Sequence, residues 1–170
     1  MIKTYIIGEV FSSTSAEAFS TYEKSRWGEK EGNKINYSGV EVLYLVEFGK
    51  MQVFLNGKEV GFEGVMKRLV KRDKKIKIKY MVFRDLRRKG YIVKTALKFG
   101  AEFRIYDKGV KPGQEHARWV VFSVAESEKI NWHEFAAKNR VAHSTKKNLL
   151  IAVVDDEGEV IYYEVSWRKI

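Results

Sequence analysis

The chain has 170 residues, 45% of them hydrophobic, which is enough for one domain or two small ones with a buried core. It contains no cysteine, which excludes disulfides and thiolate metal sites and favours a reducing cytoplasm. The net charge of +10 is typical of nucleic-acid-binding proteins, although proteins from hot environments also have lysine-rich surfaces. No apolar run approaches the ~20 residues of a membrane span, and no signal-peptide pattern is present, so we expect no membrane partner.

The first 75 residues predict a small α+β domain, which we assign to scaffolding and assembly. Ser38 and Glu41 have capping-box spacing, so a helix is expected to begin at Ser38 and to stop at Gly49. Asn56-Gly57 is a hairpin turn signal that ends a short strand. The other patterns predict β structure in residues 2–11 and 51–55 and helices in residues 16–22 and 62–71.

Asp73-Lys74-Lys75 marks the expected boundary between domains 1–75 and 76–170. The second domain is predicted to be α/β, with a mixed central sheet flanked by helices. Asn131 and Glu134 form a second capping pair, so a helix is expected to start there and to reach about Asn139. The remaining predicted elements are a helix at 76–89 and strands at 91–93, 102–107, 119–124, 148–154 (buried on both faces) and 160–167.

The three histidines, His116, His133 and His143, do not have the spacing of a metal site. His116 follows a loop rich in turn-forming residues, where a side chain can reach a substrate, but taken alone an ordinary surface histidine is the favoured interpretation. We expect His143 to be structural and assign no role to His133. The acidic residues Asp155, Asp156 and Glu157 are typical of a solvated turn and do not form the acidic cluster of a metal-dependent nuclease.

Tyr106 and Lys147 are two further polar candidates, each with an ordinary alternative. Tyr106 ends an alternating β segment and could simply pack with its hydroxyl at the rim. As a base it starts from a pKa of about 10, so it needs nearby positive charge, for which Arg104, Lys108 and Lys147 are candidates. Lys147 precedes the apolar segment 148–154 and could be a solvated lysine beside Lys146.

From about Tyr80 to the C-terminus the chain resembles the archaeal tRNA-splicing (tRNA-intron) endonuclease family, and residues 37–53 resemble the family's N-terminal domain more loosely. Five spaced motifs in the family's order carry the resemblance: residues 80–87, 89–95, 99–106 with 115–116, 140–144 and 149–155. The resemblance implies a catalytic fold and a reaction that needs no metal or cofactor. In that reaction, precursor tRNA is cut at both bulge–helix–bulge exon–intron junctions, which leaves 2′,3′-cyclic phosphate and 5′-hydroxyl ends.

The same resemblance implies the roles of individual residues. Tyr106 would be the general base on the 2′-hydroxyl, His116 the general acid at the leaving 5′-oxygen, and Lys147 the stabiliser of the charged transition state. Arg140 and Arg168 would hold a flipped bulge base between two guanidinium groups. These roles fit the groups, because imidazole titrates near neutral pH and an ammonium stabilises developing negative charge.

The resemblance also implies an assembly. An acidic loop of the family docks into a neighbouring subunit, and Asp155, Asp156 and Glu157 match it. The last strand would pair across a two-fold interface, so a homotetramer acting on precursor tRNA is expected, with an unseen structural subunit as an alternative. Two other functions stay open at this point: a non-catalytic RNA-binding or structural subunit of the same complex, and a metal-dependent DNA nuclease.

Overall fold

A computed structural model describes the whole chain, residues 1–170, as two compact units, Met1–Tyr80 and Met81–Ile170. The strands are β1 (Ile2–Ile7), β2 (Val10–Ser13), β3 (Glu29–Glu31), β4 (Lys34–Tyr37), β5 (Met51–Leu55), β6 (Lys58–Val60), β7 (Ile92–Thr95), β8 (Phe103–Tyr106), β9 (Trp119–Ala125), β10 (Asn148–Val154) and β11 (Val160–Val165). The helices are α1 (Ala16–Ser25), α2 (Gly39–Glu47), α3 (Phe62–Val70), α4 (Ile76–Arg88) and α5 (Trp132–Ser144), with a short 3₁₀ helix at Leu97–Phe99. The expected fold class is confirmed, because each unit contains a mixed sheet with helices.

The N-terminal unit contains a six-stranded sheet in the order β3-β4-β2-β1-β5-β6. Only β1 and β5 pair in parallel; the other neighbours are antiparallel. Strand β1 alternates strictly between buried and exposed side chains, so one face of the sheet is covered and the other is open. The core contains side chains of the sheet and of the helices, among them Ile35, Leu43, Leu45, Val53 and Val65, all fully buried.

The predicted capping box at the start of α2 is confirmed. One carboxylate oxygen of Glu41 accepts hydrogen bonds from the Ser38 backbone N–H at 3.0 Å and from the Ser38 hydroxyl at 2.8 Å. The other oxygen accepts from the Gly28 backbone N–H at 2.9 Å. The carboxylate of Glu41, a residue that is only 4% exposed, is therefore satisfied by hydrogen bonds that also hold the preceding loop.

Strands β3, β4 and β6 were not among the predicted strands of this unit, although the hairpin signal at Asn56-Gly57 indicates the place of β6. β3 reads Glu-Lys-Glu, which has no alternation of apolar and polar residues, and it is exposed along its whole length. It forms because Gly32-Asn33 makes a two-residue turn that pairs Glu31 with Lys34. Gly-Asn is a recognised hairpin signal, so the sequence indicates the turn although it does not indicate the strand.

The C-terminal unit contains a five-stranded sheet in the order β11-β10-β9-β8-β7. Strands β9 and β10 pair in parallel, joined through α5, and every other pair is antiparallel. The expectation that β10 is an interior strand buried on both faces is confirmed, because Leu149 and Ile151 are buried on one face and Ala152 and Val154 on the other.

Each face of this sheet has its own covering helix. On one face, Ala142 of α5 packs in a cluster with Val120, Phe122, Leu149 and Ile151. On the other face, the Phe83 ring of α4 lies 5.9 Å from the ring of Phe103. The hydroxyl of Tyr162 donates a hydrogen bond of 2.6 Å to Asp85 on the same side, and burial together with that carboxylate raises the pKa of the phenol.

Several expected boundaries differ from the structure, and those at the ends of α5 and β11 are two of them. Helix α5 begins after Asn131 as predicted but continues to Ser144, five residues beyond Asn139, which is itself buried inside the helix. Strand β11 ends at Val165, so Trp167 follows the strand. Ile161 and Tyr163 lie on the same face of β11, and both are more than half exposed.

Candidate functional site

A cavity of about 250 Å³ opens beside the ends of β8, β9 and β10 in the C-terminal unit. Tyr106, His116 and Lys147, the three candidates for chemistry, all line it. The remaining lining residues are Phe99, Arg104, Gly113, Gln114, Glu115 and Ala117. A phenol, an imidazole and an ammonium from separate stretches of the chain therefore face one small space.

The sheet positions Tyr106. It is the last residue of β8 and pairs with Ile92 of β7, and its side chain is 95% buried. The strand ends here because the chain turns at once, with the Val110 N–H donating to the Asp107 carbonyl at 3.0 Å. A buried side chain in a paired strand has little freedom, so the phenol is held in a fixed place at the cavity wall.

The end of α5 positions Lys147. Lys146 has a left-handed conformation, with φ 54°, and its N–H donates to the carbonyl of His143 at 3.1 Å. The N–H of Lys147 donates to the carbonyl of Ala142 at 2.9 Å. These two bonds form a Schellman motif with a lysine where glycine is usual, and they direct the chain from the helix into β10. The Lys147 side chain enters the cavity directly after this turn.

His116 reaches the cavity from the long loop between β8 and β9. Its side chain is exposed, as expected for a residue on a loop. The loop is folded on itself, because the Gln114 N–H donates to the Lys111 carbonyl and the Gln114 side chain accepts from the Lys111 N–H, both at 3.0 Å. Gly113 supplies a positive φ of 93° in this turn.

The cationic side chains that line the cavity, Arg104 and Lys147, outnumber the acidic ones, of which Glu115 is the only example. Partial burial and the nearby guanidinium of Arg104 together lower the pKa of Lys147 below its usual range. The Lys147 ammonium donates a hydrogen bond of 3.3 Å to the Thr145 carbonyl and forms no ion pair. Burial and the Arg104 charge both disfavour the charged form of Lys147, and a bound anion would stabilise it. The cavity is therefore well suited to an anionic ligand.

Arg140 does not line this cavity. It lies with Trp132, Phe135 and Trp167 along a separate groove of about 460 Å³ between α5 and the chain after β11. Trp132 is 83% exposed and Trp167 49% exposed, so their ring faces are accessible. The groove is lined by aromatic rings and one guanidinium, which are the groups that stack on nucleobases.

A smaller space shares lining residues with both the cavity and the groove. It is about 120 Å³ in volume and is lined by Lys147 of the first cavity and Trp167 of the second. His143, expected to be structural, also lines it, and its ring lies 4.5 Å from the Trp167 ring. Arg168 is exposed and lines none of these three spaces, although it directly follows Trp167.

The acidic residues form the turn between β10 and β11. One carboxylate oxygen of Asp155 accepts hydrogen bonds from the N–H groups of Glu157 and Glu159, both at 2.9 Å. Asp155 thus shapes the turn, whereas the side chains of Asp156 and Glu157 are exposed at its tip. The three residues lie at the opposite end of β10 from Lys147.

Size alone does not identify the functional cavity. A wider depression of about 640 Å³ lies in the N-terminal unit, but its only charged side chains are Glu17 and Lys50. No three His, Cys, Asp or Glu side chains gather as they would around a metal ion. None of the helices combines the length and the apolar character needed to cross a membrane.

The sequence patterns missed several residues of these spaces. No local pattern marks Phe99, and the sequence indicates Arg104 only as a source of positive charge near Tyr106. Trp132 and Trp167 were likewise not singled out as site residues. The signal that could have found them is a tryptophan that occurs together with an arginine. Trp132 and Arg140 both lie in α5, and Trp167 directly precedes Arg168.

Comparison with known proteins covers both units. Residues 3–66 match the family model of the tRNA intron endonuclease N-terminal domain, and residues 76–162 match that of its catalytic C-terminal domain. The tRNA-splicing endonuclease of Pyrococcus abyssi is 40% identical over 170 residues, which cover 99% of this chain and 98% of that protein. The tRNA-splicing endonuclease of Pyrococcus horikoshii is 39% identical over 169 residues, which cover 99% of this chain and 97% of that protein. That of Nanoarchaeum equitans is 43% identical over 136 residues, which cover 76% of this chain and 87% of that protein. The chain therefore belongs to the tRNA intron endonuclease family, with both the N-terminal and the catalytic domain of that family of enzymes.

Proposed function

We propose that this protein excises introns from precursor tRNA by cutting at bulge–helix–bulge exon–intron junctions, without a metal ion, to leave 2′,3′-cyclic phosphate and 5′-hydroxyl ends. The observation that carries the proposal is the meeting of Tyr106, His116 and Lys147 in one cavity. The relatives are named tRNA-splicing endonucleases, which supports the choice of substrate. The chain's net charge of +10 favours binding of an RNA polyanion.

The three groups can divide the reaction between them. Tyr106 accepts the proton of the 2′-hydroxyl, whose oxygen attacks the adjacent phosphorus atom. His116 gives a proton to the 5′-oxygen as its bond to phosphorus breaks. Lys147 stabilises the negative charge that develops on the phosphoryl oxygens. Because the nucleophile is the 2′-hydroxyl, the same site cuts RNA and leaves DNA intact.

The first experiment uses a precursor tRNA transcript with a bulge–helix–bulge intron, incubated with the purified protein in EDTA. We expect cleavage at both junctions and 3′ ends that resist ligation to a 5′-phosphate until the cyclic phosphate is opened and the remaining phosphate is removed. A transcript with a 2′-deoxy residue at each junction is the matched control, and it should remain intact. Binding without cleavage would favour a structural RNA-binding subunit, and cleavage that needs added Mg²⁺ would contradict the proposal.

We propose further that the aromatic groove around Arg140 holds an unpaired base of the substrate, with Arg168 as the second guanidinium. Arg140→Ala is expected to weaken binding of a 2′-deoxy precursor by about 1–3 kcal/mol, because one stacking partner is lost. A filter-binding titration measures this. Arg88→Ala removes an exposed arginine at the end of α4 and serves as the charge-matched control. Equal affinity of both variants would remove Arg140 from the site, and Arg168→Ala tests its proposed partner in the same way.

We also propose that four copies assemble, with the exposed acidic tip at Asp156 and Glu157 docked against a neighbouring copy. The exposed apolar side chains Ile161 and Tyr163 on edge strand β11 support a paired interface, because an open edge of this kind promotes aggregation. Sedimentation of the purified chain should give a tetramer, and Asp156→Lys with Glu157→Lys should give a smaller species. A wild-type monomer would contradict the proposal and indicate a missing structural subunit.

A further inference from the structure

Arg104 lines the cavity, but the proposed mechanism assigns it no role. It lies on β8 two residues before Tyr106, so both side chains project from the same face of the sheet. Both line the cavity that contains His116 and Lys147. Its backbone pairs with Val120 of β9 and Lys94 of β7, so the strand ladder holds its position from both sides.

The guanidinium of Arg104 and the ammonium of Lys147 both lie over the ring of Phe99. The Arg104 group lies 5.8 Å and the Lys147 group 5.3 Å from the centre of its ring. The ring is held in place by the 3₁₀ helix, which ends at Gly100 in a left-handed conformation with φ 75°. Two cations thus share one aromatic ring, which attracts each of them electrostatically.

Neither cation is neutralised within the protein. Arg104 forms no ion pair, and its Nε lies buried without a hydrogen-bond partner. The nearest acid along the strand, Glu102, accepts a hydrogen bond of 2.7 Å from the Ser123 N–H. Glu115 lines the cavity but is exposed on the loop. A buried donor without a partner and two adjacent positive charges are unfavourable in an empty cavity and become favourable when an anion binds between them.

We propose that Arg104 is a fourth catalytic residue, whose guanidinium binds a non-bridging oxygen of the scissile phosphate beside Lys147. This rests on the proposed cleavage chemistry. As the 2′-oxygen forms its bond to phosphorus and the bond to the 5′-oxygen breaks, the proton of the 2′-hydroxyl goes to Tyr106 and His116 protonates the leaving oxygen. Arg104 and Lys147 form no covalent bond. They donate hydrogen bonds to the phosphoryl oxygens, on which negative charge increases in the transition state.

A guanidinium suits this position for a geometric reason. Its planar fork of donors matches two oxygens of a phosphate, whereas the lysine ammonium acts as a compact point charge. Arg104 would fix the orientation of the phosphate, and Lys147 would add charge at the same centre. The arginine would therefore contribute to the rate of cleavage more than to the overall affinity for a long RNA with many other contacts.

The test uses the full protein and the intron-containing precursor tRNA, in single-turnover cleavage with enzyme in excess. Arg104→Ala should slow cleavage by about 10²–10³-fold, as is usual when one donor to a transition-state oxyanion is lost. Arg104→Lys should fall between that variant and the wild type. Binding of the 2′-deoxy precursor should change by less than about threefold, and added guanidinium ion should restore part of the alanine variant's rate.

A phosphorothioate at the scissile phosphate reports the contact directly. Sulfur in place of one of the two non-bridging oxygens should slow the wild-type protein, and this stereospecific effect should shrink in Arg104→Ala. A purely structural role for Arg104 would leave the effect unchanged and would give no rescue by guanidinium. Lys98→Ala, which removes an exposed charge next to Phe99 without touching the cavity, is the control and should cleave normally.

The outcomes separate the two proposals. Wild-type protein that leaves no cyclic phosphate overturns the cleavage chemistry and the role of Arg104 with it. Wild-type cleavage with cyclic ends, combined with an Arg104→Ala rate within about threefold of normal or an unchanged phosphorothioate effect, overturns the role of Arg104 alone. Should Arg104→Ala melt below the assay temperature, the rate and the phosphorothioate effect of Arg104→Lys decide the question, and values equal to those of the wild type overturn the role of Arg104.

Discussion

Replacement of His116 by alanine is expected to slow single-turnover cleavage of a precursor tRNA by about 10²–10⁴-fold, the usual contribution of a general acid or base. The reason is that the 5′-oxygen would have to leave as an unprotonated alkoxide. The side chain is exposed on a loop, so its loss should leave the melting temperature and the RNA affinity almost unchanged. Gel analysis of cleavage and a filter-binding titration measure the two quantities separately.

The nature of the leaving group gives a sharper test of the role of His116. With sulfur in place of the bridging 5′-oxygen, the leaving group is a stable thiolate that needs no proton. His116→Ala should cleave this substrate nearly as fast as the wild type does. His133→Ala is the matched control, because His133 is an exposed histidine in the first turn of α5, away from the cavity. A rate that stays low on the sulfur substrate would show that His116 is not the general acid.

Lys147→Gln is expected to have the second large effect, with cleavage slower by about 10²–10³-fold because the ammonium beside the phosphate is lost. The stability of the folded protein should stay the same or increase while the activity falls. Burial and Arg104 lower the pKa of Lys147, so the folded protein holds the proton less firmly than the unfolded chain does. The folded protein is therefore destabilised by the charged Lys147. This destabilisation is fully present at pH values below the lowered pKa and disappears as the pH rises towards the ordinary lysine pKa of about 10.4.

At neutral pH, Lys147→Gln should therefore melt at the same temperature as the wild type or at a higher one, while its activity falls. Differential scanning calorimetry beside single-turnover cleavage measures both. Lys146→Gln is the control. The Lys146 side chain is the neighbour of Lys147 in the sequence but is exposed outside the cavity, so its replacement should change neither the melting temperature nor the rate of cleavage. A Lys147→Gln protein that loses stability in step with activity would show that the residue is structural.

Local signals in the sequence were enough to predict where helices begin. The capping pairs Ser38–Glu41 and Asn131–Glu134 both start helices in the structure. The end of α5 was predicted five residues too early, because no glycine marks it: the left-handed residue that stops this helix is Lys146. Its conformation is set by the hydrogen bonds to His143 and Ala142, which a search for helix-ending glycines overlooks.

The site could be predicted only as far as single residues carry a signal. Tyr106, His116 and Lys147 were identifiable through the family resemblance, and the structure lines one cavity with them. The contact of Arg104 and Lys147 with Phe99 depends on how the 3₁₀ helix lies against β8 and the start of β10, which no local pattern encodes. Trp167 likewise reaches the Arg140 groove only because the chain after β11 runs beside α5.

The pairing of the strands limits where the chain length can vary without loss of the site. One residue inserted into β8 after Arg104 would turn Tyr106 to the face covered by α4, since side chains alternate between the two faces of a strand. Lys147 is fixed in the same way, because the next residue, Asn148, pairs with Trp119. Between β8 and His116, insertions and deletions compatible with activity should therefore be confined to residues 108–113, where the loop can lengthen or shorten without a change of strand register.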